Sequence, residues 1–149
     1  MNLDLTAEEL AFRDEASTWL RDNLPTEPRP PEGQEMREFD LAWQRTLFDG
    51  GWAGINWPVE YGGRGLTDIQ QMIWYEEFAK ANPPFTLNNS CTFVGNLHGG
   101  PTIIVNGDEE QKATYLPRIL RGEDVWCQGF SEPGAGSDLG GLSTKAEID

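Results

Sequence analysis

The first periodic stretch of the chain opens at Thr6-Ala7-Glu8-Glu9, a hydroxyl followed three residues on by a carboxylate. That spacing is a capping box, in which each side chain satisfies the other residue's orphan N–H at a helix start. Phe12, Ala16, Trp19, Leu20 and Leu24 then fall at i, i+4, i+7, i+8 and i+12, one helix face that ends at Pro25. Pro25 to Gly33 holds four prolines and a glycine and reads as a loop inside one domain, since too little chain precedes it to fold alone. Met36, Phe39, Trp43 and Leu47 mark a second helix, stopped by Gly50-Gly51. Trp52 to Gly65 is rich in glycine and tryptophan and predicts irregular structure. Thr67-Asp68-Ile69-Gln70 is another capping box, predicting a helix through about Lys80 that Asn82-Pro83-Pro84 ends.

Phe85 to Gly100 is weakly patterned and reads as a buried helix; Pro101 to Val105 is a short apolar helix or an extended run. Asp108-Glu109-Glu110-Gln111 is a third capping box. Acids in its first turn and Arg118 and Arg121 near its end complement the helix dipole. Pro117 is expected to kink or restart this helix. After Gly122 the period changes. Val125, Cys127 and Gly129 alternate with Trp126, Gln128 and Phe130, the period of a strand. A turn-rich loop, Glu132 to Asp138, follows, and Thr144 to Ile148 reads as the start of another strand. The fold class is therefore mainly α: an orthogonal or up-down helical bundle over residues 1–122, then the first strands of a truncated β-domain over 123–149. Two strands alone are marginal and leave open edges, so the sequence is expected to be part of a longer protein.

Composition narrows the function classes. With 25 acidic residues against 11 Lys and Arg the formal charge is −14, which repels phosphate backbones and argues against nucleic-acid binding. Anionic cofactors then need backbone N–H groups, hydroxyls or residues outside these 149 to hold their phosphates. No run approaches the roughly 18 apolar residues of a membrane helix. The first residues show neither the basic nor the apolar region of a signal peptide. Cys91 and Cys127 fit no metal spacing, so a reduced, cytoplasmic setting is expected. The single histidine, His98, lacks partners at ligand spacing and reads as structural.

The chemically informative stretch is Gln128-Gly-Phe-Ser-Glu-Pro-Gly-Ala-Gly-Ser-Asp138. Small residues let a ligand approach the backbone, successive N–H groups can form an anion-binding nest, and Ser137 adds a hydroxyl. The segment is not a Walker loop, which needs a lysine after its glycines, nor a dinucleotide fingerprint, which needs a helix where Gly140-Gly141-Leu142 stands. Composition alone favours a plain surface turn, since such clusters usually mark turns.

Gly129-Phe-Ser-Glu-Pro-Gly-Ala-Gly-Ser-Asp138 resembles the signature of acyl-CoA dehydrogenases, in which Ser or Thr and Glu-Pro lead to Gly-Ser-Asp. Trp57-Pro-Val-Glu-Tyr-Gly-Gly-Arg-Gly65, the Glu76-Glu77 pair, Gly107-Asp-Glu-Glu-Gln-Lys112 and Tyr115-Leu-Pro117 resemble further blocks of that family, in family order and spacing. Phe130 departs from the pattern, standing where many members carry a smaller aliphatic residue. The resemblance implies an N-terminal helical domain, a middle β-domain and a C-terminal bundle. It implies FAD as cofactor and an acyl-CoA thioester as substrate, as in fatty-acid β-oxidation. A glutamate removes the α-proton while the β-hydrogen leaves as hydride to the flavin, and hydrogen bonds to the thioester carbonyl steady the enolate. It implies that Gln128, Phe130 and Ser131 line the flavin ring, and that Gly136 and Ser137 lie near its ribityl-pyrophosphate, Ser137 also reaching the CoA. Asn89, Ser90 and Phe93 are spaced to share a face of the stretch that lines the acyl pocket in the family, a face that plain core packing explains at least as well. The base is expected beyond Asp149, with Glu132 structural and Asp138 capping a turn. Of Glu76 and Glu77, one is expected to be paired and one solvated. Electron-transfer flavoprotein or a similar acceptor, and a homo- or hetero-oligomer (dimer or tetramer), are the expected partners. Two other readings share the fold: an acyl-CoA oxidase type, and a subunit without the base acting structurally in a heteromer.

Overall fold

A computed structural model of the chain describes residues 4–83, 91–145 and 147. Five α-helices carry the fold: α1 (Ala7–Asn23), α2 (Gly33–Asp49), α3 (Asp68–Ala81), α4 (Gly100–Asn106) and α5 (Glu109–Leu120). All three capping boxes form. Glu9 N donates to Thr6 Oγ1 at 3.2 Å and Thr6 N to Glu9 Oε2 at 2.7 Å. Gln70 with Thr67, and Gln111 with Asp108, make the same reciprocal pairs. Each box fixes where its helix starts.

The apolar stripe read from α1 faces the core. Phe12, Ala16 and Leu20 pack with Ile73, Trp74 and Phe78 of α3 and with Trp43 of α2, and α1 and α3 make the most extensive helix pair. Trp19 lies 5.8 Å from Trp43, 5.6 Å from Trp52 and 6.0 Å from Trp74, ring centre to ring centre. Trp52 stacks on Trp74 at 4.3 Å, and Arg64 lies over the outer Trp52 face at 3.9 Å while pairing with Glu15. A second cluster joins Ala53 and Trp57 to Leu116, Ile119 and Leu120 of α5; Leu47 belongs to both, so α2 ties the two halves together.

Several buried polar side chains are paired. Arg29, on the proline loop, grips the fully buried Asp40 of α2 with two hydrogen bonds of 2.5 and 2.7 Å. Gln44, also buried, donates to Leu120 O at 2.7 Å and accepts from Asn96 Nδ2 at 3.1 Å. Trp57 Nε1 donates to Asn96 O at 2.9 Å. Glu77 is buried between Lys80 at 2.7 Å and Arg13 at 3.4 Å, whereas Glu76 reaches Arg13 from the surface. Both acids are therefore paired, where one paired and one solvated were expected; they differ in burial, Glu77 being buried and Glu76 half-exposed.

Three expectations change. Residues 125–130 form no ladder: among the described residues there is no β-strand, only an isolated bridge between Glu132 and Ala135. A ladder needs a second strand, and none of the described residues supplies one. Of the strand expected at 144–148, residues 144, 145 and 147 are described and are not in a strand, while 146 and 148 lie outside the described residues. Of the kink or restart expected at Pro117, the restart does not occur: α5 runs unbroken to Leu120. The helix expected at Phe85–Gly100 is described from residue 91 onward. There a π-turn, Gly95–Gly99, runs directly into α4, and α4 settles the Pro101–Val105 alternative as helix. Among the described residues no helix is long and apolar enough to cross a membrane.

Candidate functional site

The signature segment leaves the helical body at the end of α5. Arg118 grips Asp124 in a two-pronged pair of 2.7 and 2.6 Å, which holds the Asp124 carboxyl below its ordinary range and turns the chain out of the helix. Trp126 then packs on the second cluster, edge-on to Tyr115 at 5.9 Å. From there the chain emerges. Gln128, Gly129 and Ser131 are exposed, and the Phe130 ring is 66% exposed. Gly136 and Ser137 are exposed as well.

The loop between them is closed by its own hydrogen bonds. Glu132 N donates to Ala135 O and Ala135 N to Glu132 O, both at 3.0 Å, and Ala135 is buried. The Glu132 carboxylate accepts from the Thr144 hydroxyl, from Ser143 N at 2.8 Å and from Thr144 N at 2.7 Å. These donors, the Thr144 hydroxyl foremost, lower the Glu132 pKa. A carboxylate so occupied is a clip between the two arms of the loop. Asp138 opens the 3-10 turn Leu139–Gly141 by accepting Gly141 N on its backbone oxygen, with no side-chain cap.

Among the described residues, the N–H groups of Gln128 to Ser131, Gly136 and Ser137 find no acceptor in the protein. Nothing lies within 4 Å of where a Cβ would stand on Gly129, Gly134 or Gly136. The segment therefore presents open backbone donors, two serine hydroxyls and one aromatic ring to whatever approaches it. Among the described residues, no group of His, Cys, Asp and Glu has the arrangement of a metal centre.

The expected acyl-pocket residues are only partly on view. Asn89 and Ser90 lie outside the described residues. Phe93 is half-buried, its ring 5.1 Å from that of His98. It borders a small cavity of about 80 Å³ shared with Thr92, Asn96, Trp74 and Tyr75. Asn96 Oδ1 is buried without a partner. Trp126 packs against the π-turn that follows Phe93 in the chain. Periodicity gave no reason to single out Trp126. The one available signal was the pair Gly95 and Gly99, four residues apart, which leaves a helix face bare for a large ring.

Residues 6–123 match the family model of the acyl-CoA dehydrogenase N-terminal domain. An acyl-CoA dehydrogenase of Mycolicibacterium smegmatis, IpdE1, is 42% identical over 92% of this chain and 36% of its own length. The mitochondrial isovaleryl-CoA dehydrogenase of Pongo abelii is 32% identical over 96% of this chain and 33% of its own. Among solved structures, the Tcur3481-Tcur3483 steroid ACAD aligns with a TM-score of 0.74 at 35% identity, covering all of this chain and 38% of that one. The ChsE4-ChsE5 complex of Mycobacterium tuberculosis aligns at 0.69 with 32% identity, covering all of this chain and 36% of that one. The chain thus spans about a third of the length of these relatives.

Proposed function

The chain belongs to the acyl-CoA dehydrogenase family, and from that premise we propose that it is the N-terminal part of a cytoplasmic flavoenzyme that desaturates an acyl-CoA thioester between Cα and Cβ. The observation that carries the reading is the signature segment itself, placed directly after the family domain and presenting unpaired donors. That donor set suits FAD. Open N–H groups and hydroxyls match the acceptors of a flavin ring and a pyrophosphate, and they hold anions without the cations an acidic chain lacks.

In this reading Gln128, Phe130 and Ser131 meet the flavin ring, with Ser131 donating to it. Gly136 and Ser137 hold the ribityl-pyrophosphate, and Ser137 also meets the CoA. Bound FAD supplies the hydride acceptor. Phe93, with Asn89 and Ser90, limits the acyl chain. Glu132 serves as a clip and takes no proton from substrate, because its oxygens are occupied by Ser143 and Thr144. The base is assigned to sequence beyond these 149 residues, and electron-transfer flavoprotein or a similar carrier would be the electron acceptor.

The test is made on the intact protein. Ser137→Ala is expected to lower retained flavin per polypeptide after gel filtration, and the 149-residue chain alone is expected to turn over no acyl-CoA. An intact protein that is colourless and takes up no FAD would sink the reading; so would turnover by the short chain.

A second reading, a subunit lacking the base within a heteromer, is favoured by one observation: two of the similar solved structures carry paired names, one of them called a complex. Copurification with a differently encoded family member, and activity only in its presence, would select it.

A further inference from the structure

Trp126 is where the helical body and the signature segment meet. A Cβ on Gly99 would stand 2.9 Å from Trp126 Cε3, and one on Gly95 would stand 3.4 Å from Trp126 Cδ1. The indole therefore rests directly on the backbone of the π-turn, with Tyr115 closing its edge. Neither glycine has a positive φ, so backbone conformation does not require glycine there. The close approach of the ring does. After Trp126, residues 127 to 131 are all exposed, and among the described residues none of them is hydrogen-bonded to the helical body. Phe93 lies two residues before the π-turn, on the same run of helix.

We propose that Trp126 is a positioning residue that sets the register of the segment Gln128–Ser137 against the helix carrying Phe93. The inference rests on the flavin reading for its consequence, because that register fixes where the flavin ring meets the acyl chain. It does not rest on that reading for its geometry. An anchor of this kind acts before any ligand arrives: it narrows the conformations the segment samples, so less order has to be imposed on binding.

Two variants test it. Trp126→Ala removes the ring. Gly99→Ala keeps the ring and pushes it off its seat while adding a better helix former. In the 149-residue chain, chymotryptic nicking after Phe130 is expected to rise about tenfold in both, as loss of an aromatic seat raises the open population. Far-UV circular dichroism should stay helical, and Trp126→Phe should restore most of the protection. Asp124→Asn is the control for the Arg118 fork upstream and is expected to raise nicking far less. In the intact flavoprotein, Trp126→Ala and Gly99→Ala are expected to shift the flavin absorption band and to lower kcat more than they raise KM for the thioester. Unchanged nicking in both variants would overturn the proposal, as would release by Asp124→Asn as large as by Trp126→Ala. Increased nicking in an intact protein that never binds flavin would leave the anchor standing and sink the flavin reading instead.

Discussion

Gly100 and Glu132 act in opposite ways, one by what it lacks and one by what it holds. A Cβ on Gly100 would stand 2.0 Å from Trp57 Cζ2, and Trp57 is almost wholly buried with its N–H committed to Asn96. Gly100→Ala is expected to cost about 1–3 kcal/mol, as overpacking does, read from the midpoint of denaturant unfolding. An unmoved midpoint would show that Trp57 gives way freely. Glu132 is depressed by its hydrogen bonds, so its contribution to loop order is present above its unfolded value near 4.5 and is lost as pH falls through the lower folded value. The amide signals of Ser143 and Thr144 should accordingly shift together below pH about 4.5, and Glu132→Gln should abolish that titration. The structural role of Glu132 was legible in its Glu-Pro context. The closeness of Gly100 to Trp57 was not, because the two meet only through folding and nothing local marks them.

Helix starts were the most legible elements, since a cap is written within four residues. Thr67→Ala, which removes one half of the α3 box, is expected to cost about 1 kcal/mol. That corresponds to a fall in Tm of about 3 °C for a chain of this size. Without loss of Tm the box would be decorative. The π-turn was illegible for a physical reason: whether a helix takes up an extra residue depends on what presses on it, here Trp57 and Trp126 from distant segments. The strand expected at 125–130 shows the reverse case. Its alternation is there in the sequence, but a strand is completed only by a neighbour, which no single segment specifies.

Across the described residues, a helical body with two joined apolar clusters carries a largely exposed segment over 127–145, in which Ala135 is buried. Phe130 and Leu139 on that segment, with Val59 and Val105 on the body, are each at least 60% exposed. The chain is therefore expected to self-associate, and added salt should favour association by screening a charge of −14. Light scattering that reports a monomer at high concentration in high salt would contradict this. The candidate site was legible only as a string: Gln128 to Ser137 stood out by resemblance, while its attachment through Trp126 required coordinates. The four indoles of Trp19, Trp43, Trp52 and Trp74 come from α1, α2, the loop after α2, and α3, with neighbouring rings about 4–6 Å apart. Chromophores this close share their excited states. The chain thus carries its own optical gauge of native packing: an aromatic dichroic couplet that should vanish as soon as the three helices separate, even while each stays coiled.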